Sequence, residues 1–164
     1  MIVSNCHISR NTFYYHFQDK YDVIKWIFYS ESSSIINDLY VHTNWIETLQ
    51  KLCIYLQENK EFYIKVLHIQ GQNSFTECLT EFNFQLIKDM LMHLHADEIL
   101  ATNEIDVVSH FYAYGLTGVI SHWAQNGMKV DPRPVIEMLQ DTLSGKIYQR
   151  LQSYRHEDDK NINK

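Results

Sequence analysis

The chain has 164 residues and a formal net charge of −6, with 45% hydrophobic and 13% aromatic residues. That is enough apolar surface for one self-sufficient core without disulfides or metals, and it excludes disorder for most of the length. The acidic balance excludes bulk binding to nucleic acid or anionic membrane, so any DNA contact must come from a local patch. Only 5 glycines and 2 prolines occur, none before Gly71, which argues against turn-rich β-sandwiches and barrels and for helices. Cys6, Cys53 and Cys78 are widely spaced and form no metal or redox motif, as suits a reducing compartment. No apolar run approaches the roughly 20 residues that span a bilayer. The start of the chain lacks a signal peptide's basic and apolar regions, so a cytoplasmic protein is expected.

In chain order, Ser9 is placed to cap a short helix over 10–17, and Asp19 to cap the next, over 20–39. Ile24, Ile27, Phe28, Ile35 and Leu39 give that second helix a core-facing stripe. Asn44 with Glu47 resembles a capping box opening a helix to Glu58, with the stripe Ile46, Leu49, Leu52, Cys53 and Leu56. A helical stretch over 61–69 carries Phe62, Val66 and Leu67. Ser74 with Glu77 opens a long helix to His95, with Phe75, Cys78, Leu79, Phe82, Leu86 and Met90 on one face. Asn103 is expected to cap a helix to Asn126, with Gly127 left-handed after it. Asp131-Pro132 signals the start of a last helix to Tyr154. The polar tail 156–164 is expected to be disordered. The fold class expected is all-α.

Chemistry concentrates in residues 6–24. Phe13 and Phe17 are four apart and can point inward together, which leaves Ser9, Arg10, Asn11, Thr12, Tyr14, Tyr15 and His16 around the other sides. These are hydrogen-bond donors with little negative charge among them. Such a helix could enter a major groove, with Lys20 reaching a further phosphate. Residues 1–31 hold Arg10, Lys20 and Lys25 against Asp19, Asp22 and Glu31, a balance of zero, so phosphate attraction is weak. Trp26, Tyr29, Tyr55, Phe62, Tyr63 and Phe82 could line a small-molecule cavity, with His68 as a polar anchor. His93 and His95 point in different directions on a helix, so no metal is expected. No phosphate loop, nucleophile elbow or zinc-protease motif occurs, so neither a cofactor nor an enzymatic activity is expected.

The run Ser9, Thr12, Phe13-Tyr14, His16-Phe17 and Lys20 resembles the DNA-binding signature of TetR/AcrR-family regulators. Tyr114-Gly115-Leu116, Trp123, Asn126-Gly127 and Asp131-Pro132 resemble the later helices of one branch, the regulators of dihydroxyacetone kinase. Trp26-Ile27-Phe28, Tyr55-Leu56-Gln57-Glu58-Asn59 and Phe62-Tyr63 fit that branch too. The resemblance implies a bacterial, effector-controlled DNA-binding repressor. Its expected parts are a partial helix-turn-helix head over 1–28 and an effector-binding and dimerisation body over 29–155. The family's first helix has no counterpart before Ser9, and Met1–Asn5 matches only the end of the second. Operator binding by the chain as given is therefore expected to be impaired. The alternative is a protein-binding coregulator that uses the same body without touching DNA. A homodimer is expected through the helices 103–126 and 132–154, with no membrane partner. On the first of these, Ile105, Val108, Tyr112, Leu116 and Val119 form one stripe, while Val107, Phe111 and Tyr114 lie elsewhere and need a second cover.

Overall fold

A computed structural model describes residues 5–33, 35, 45–69, 74–93 and 100–143. Among them are seven α-helices and no strand, so the chain is all-α as expected. We label them α1 (Arg10–His16), α2 (Lys20–Glu31), α3 (Trp45–Glu58), α4 (Lys60–Leu67), α5 (Phe75–His93), α6 (Thr102–Gln125) and α7 (Arg133–Leu143). The expected cap at Asn44, the helix ends at Leu39, His95 and Tyr154, and the tail 156–164 lie outside the described residues.

The caps that position the first two helices form as their chemistry dictates. Ser9 Oγ accepts the Thr12 amide at 3.0 Å. Asp19 Oδ1 accepts the amides of Tyr21 at 2.7 Å and Asp22 at 2.9 Å. Each cap satisfies amides that have no partner inside the helix. α2 stops earlier than its apolar stripe suggests. At Ser32 the chain leaves the helix, and both its amide and its hydroxyl donate to the Phe28 carbonyl. Serine hydroxyls compete with the helix for backbone carbonyls.

α5 and α6 form the most extensive helix pair; α4 packs on both, α3 on α5, and α7 on α3. The core joins Phe28 of α2 to Leu49, Leu52, Leu56, Tyr63, Phe75, Leu79, Leu86, Ile87, Leu116 and Ile120. Two faces differ from their expected phase. On α4 the buried residues are Tyr63, Val66 and Leu67, whereas Phe62 is exposed. On α6 the buried face is Ile105, Ser109, Ala113, Leu116, Thr117, Ile120 and Ala124. Small residues let α6 approach α5 closely, so Val108, Tyr112 and Val119 sit only half-buried at the flank.

α6 begins at Thr102, one residue before Asn103. Glu104 reaches back to accept the Ala101 amide at 2.8 Å, so this carboxylate is the cap rather than Asn103. Its other end meets expectation. Gly127 has φ +76°, the Gly127 amide bonds Ala124 O at 2.9 Å, and the Met128 amide bonds Trp123 O at 3.0 Å. That bond pair is the Schellman closure, which uses carbonyls the helix leaves free. Gln57 Nε2 then holds Met128 O at 2.9 Å and Trp123 Nε1 holds Val130 O at 2.8 Å, fixing the turn to α3 and α6. α7 starts at Arg133, whose amide bonds Asp131 Oδ1 at 3.0 Å, while the Pro132 carbonyl accepts the amides of Val135 and Ile136.

Candidate nucleic-acid interface and effector region

α1 is too short to hold its shape alone. It is held by its cap and by rings. Phe13 is its only buried residue, with Phe17 5.8 Å away, and Phe17 in turn meets Trp26 of α2 at 6.0 Å. The expected inward pair thus forms, and it turns the polar residues out. Ser9, Arg10, Asn11, Thr12, Tyr14, Tyr15, His16 and Lys20 are all exposed, Tyr15 at 85%. Ser9 and Thr12 hydroxyls lie 2.8 Å apart, so both are engaged at the helix start. Tyr15 stands edge-on to His16 at 5.0 Å, and Lys20 Nζ lies over the Tyr21 ring at 4.9 Å. An exposed seven-residue helix with hydroxyls, an amide, a guanidinium and an imidazole can offer donors to base edges and phosphates.

The seven residues expected around an effector do not form one group. Trp26 belongs to the head contact with Phe17 and is exposed. Tyr29 is exposed at its edge, beside the buried Cys78. Tyr55, Phe62, Tyr63 and Phe82 gather around Phe28 and Phe75. Ring centroids there are 5.4 Å for Tyr55–Tyr63, 5.1 Å for Phe62–Tyr63, 5.2 Å for Phe28–Phe75 and 5.6 Å for Phe28–Phe82. His68 stands apart at the surface, its Nδ1 donating to Ile64 O at 2.6 Å.

Within this cluster two tyrosines share a polar line. Tyr55 donates to Glu31 Oε2 at 2.6 Å, and the Tyr55 and Tyr63 hydroxyls are 2.6 Å apart. Burial pushes the Tyr63 phenol up to about 12. Tyr55 is raised as well, by burial first and then by its bonds to Glu31 and Tyr63. Glu31 and Phe75 escaped the sequence reading of this region. The first lies at a helix end beyond the apolar stripe, and the second reads simply as core.

Two cavities border α6 elsewhere. One, of about 580 Å³, lies between α3, α6 and α7 and is lined by Leu49, Cys53, Val119, Trp123, Val130 and Ile136 among others. The other, of about 550 Å³, lies between α5 and α6 beside Glu81, Phe84 and His110. Neither touches any of the seven expected residues. Burial also holds the Cys53 thiol up at about 12, which removes it as a nucleophile near neutral pH. Among the described residues no helix is long and apolar enough to cross a membrane.

An exposed donor-rich helix on an all-helical body is the build of a transcriptional regulator of TetR type, and the comparisons agree. Residues 43–145 match the TetR family described as "Transcriptional regulator C-terminal region", and the chain belongs to that family. Over 68 residues it is 37% identical to the HTH-type dhaKLM operon transcriptional activator DhaS of Lactococcus lactis subsp. lactis (strain IL1403). That match covers 42% of this chain and 36% of the relative, about a third of the latter's length. The solved structure of a dihydroxyacetone kinase operon activator DhaS superposes with a TM-score of 0.57 at 22% identity. It covers 90% of this chain and 82% of the other, and it supports the fold.

Proposed function

We propose that this chain is a DNA-binding transcriptional regulator, without enzymatic activity, that reads an operator through α1. The observation that carries the reading is the outward set on α1, with all eight candidate contact residues exposed while Phe13 and Phe17 hold the helix from behind. The curated relative's name calls it an activator, which favours activation over the repression that the sequence suggested.

A homodimer completes the reading. Val107, Phe111, Tyr114 and Gly118 follow one another at intervals of four, three and four along α6, so they share one ridge. Val107, Phe111 and Tyr114 are exposed, Phe111 at 72%, and so are Val135 and Met138 of α7. An added Cβ at Gly115 or Gly118 would meet nothing within 4 Å, so the ridge is notched where a second helix can approach. A two-fold partner covers such a ridge with the same surface.

The effector is a small molecule that enters the aromatic region of Tyr55, Phe62, Tyr63 and Phe82 by parting rings that pack on one another, since the two cavities beside α6 lie elsewhere. There, the linked hydroxyls of Tyr55 and Tyr63, with the Glu31 carboxylate at their end, supply the few polar groups that orient a ligand among rings.

Selection from a pool of random duplexes, followed by gel shifts, tests the proposal. Enrichment of a palindrome whose half-sites lie about one helical turn, ~34 Å, apart is expected. Failure to enrich any sequence, combined with binding to a protein partner, would favour the coregulator reading instead.

A further inference from the structure

Among the described helices, α2 has a foot in both regions. Its first turn, at Lys20 and Tyr21, follows directly on the head, and Trp26 touches Phe17 of the head. Near its other end one residue is sunk in the body. Phe28 is fully buried, with the rings of Tyr63, Phe75 and Phe82 at 6.5, 5.2 and 5.6 Å. The hydrophobic burial of such a socket is non-directional, so it fixes where a helix sits better than how it is tilted. That socket is one tie; a second, polar tie adds direction, the line Glu31–Tyr55–Tyr63 at the end of α2, with both steps at 2.6 Å.

That second tie has a fixed polarity. A Tyr hydroxyl has one hydrogen, and an ionised carboxylate only accepts. Tyr55 gives its hydrogen to Glu31, so the Tyr63 hydroxyl gives its own to Tyr55. The Tyr63 side chain is fully buried. If Glu31 swings away, Tyr55 loses its acceptor; if Tyr55 follows, Tyr63 is left with a buried donor and no partner. Such a group is expensive to strand, so the line holds as a unit or opens as a unit.

We propose that Tyr55 and Tyr63 are positioning residues that clamp the Glu31 end of α2 and so set the orientation of the DNA-reading head. The lever is long enough to matter. Phe28 and Lys20 are eight positions apart, ~12 Å along a helix at 1.5 Å per residue. A tilt of ~10° about Phe28 therefore moves the Lys20 end by ~2 Å, and two heads of a dimer by up to ~4 Å against a ~34 Å half-site repeat.

This inference rests on the DNA-binding reading for its consequence, but its physical half can be tested without DNA. Amide hydrogen exchange of the full chain would be followed in Tyr55→Phe, Glu31→Ala and Glu31→Gln. Tyr55→Phe keeps the ring and removes the link; Glu31→Ala removes the acceptor at an exposed site, where folding is not at risk. Both should speed exchange in the last two turns of α2 by ~10-fold and leave α5 and α6 unchanged, as expected for a local opening. Glu31→Gln keeps an acceptor oxygen and should restore most of the protection, which a merely structural or purely ionic role would not give. Operator affinity should fall in the same order, by ~3- to 10-fold for Tyr55→Phe. Unchanged exchange in α2, or Gln no better than Ala, would overturn the clamp. Faster exchange with unaltered operator affinity would overturn its role in orienting the head.

Discussion

The head and the body of this molecule are built on opposite terms. In the head, α1 buries a single residue, Phe13, and displays its other six, with Ser9 and Lys20 exposed at its flanks. In the body, α3, α4, α5 and α6 each contribute three to six residues to one continuous apolar cluster. The body therefore stands on packing, where every methylene counts. The head stands on two side-chain caps and a short line of rings, and it leaves its polar surface exposed. Substitutions should separate the two by type: truncations in the body remove stability, and truncations on α1 remove recognition.

The largest effect is expected at the joint. Phe28→Ala removes a fully buried ring that touches three others and should cost about 3–5 kcal/mol in urea unfolding. A loss below about 1 kcal/mol would mean that α2 is not anchored there. Next comes the exposed ridge of α6. Phe111→Glu should leave helix content unchanged yet give a monomer in sedimentation at micromolar concentration, because a carboxylate would be buried unpaired in a two-fold contact. A persisting dimer would place the interface elsewhere.

A smaller effect concerns pH. Burial raises the Tyr63 phenol from 10.0 to about 12, so the fold prefers its neutral form. That contribution is complete below pH 10 and is lost as pH rises from 10 towards 12. Tyr63→Phe should make the loss of stability over that range shallower in chemical unfolding curves; an equally steep loss would show that this phenol is not held neutral. The smallest effect is expected at Tyr15, which is 85% exposed. Tyr15→Ala should change unfolding free energy by no more than about 0.5 kcal/mol.

Much of this contrast was legible in the sequence, and the failures have physical causes. Ser9, Asp19 and Gly127 could be read because each satisfies backbone groups through local chemistry that needs no partner element. The stripes of α3 and α5 could be read because their large apolar residues recur at helical spacing. The face of α6 was misread by weighting size. Ser109, Ala113 and Thr117 are buried because they are small enough for α5 to approach, and apolar periodicity gives small residues little weight. The end of α2 was missed because the stripe continues through Ile35 while Ser32 takes over the Phe28 carbonyl. Phe62 and Tyr63 are adjacent and equally aromatic, and only packing against Phe28 and Phe75 selects Tyr63. The eight head residues are exposed together, because exposure follows from one inward pair. The effector region was not resolved, because aromatic residues that pack on each other and aromatic residues that line a cavity have the same composition.

The division of labour between packing and recognition is tested most directly by one titration. A selected palindromic duplex would be titrated with the chain and with Tyr15→Ala and Thr12→Ala across a salt series, with unfolding of each protein measured in the same buffer. Tyr15→Ala is expected to weaken binding at every salt concentration. Thr12→Ala, which removes a hydroxyl at the helix start, is expected also to relax base preference by about 1–3 kcal/mol at one position. Both proteins should unfold close to the unsubstituted chain. Unaltered affinity and preference in both variants, with the fold intact, would contradict the assignment of α1 as the surface that reads DNA.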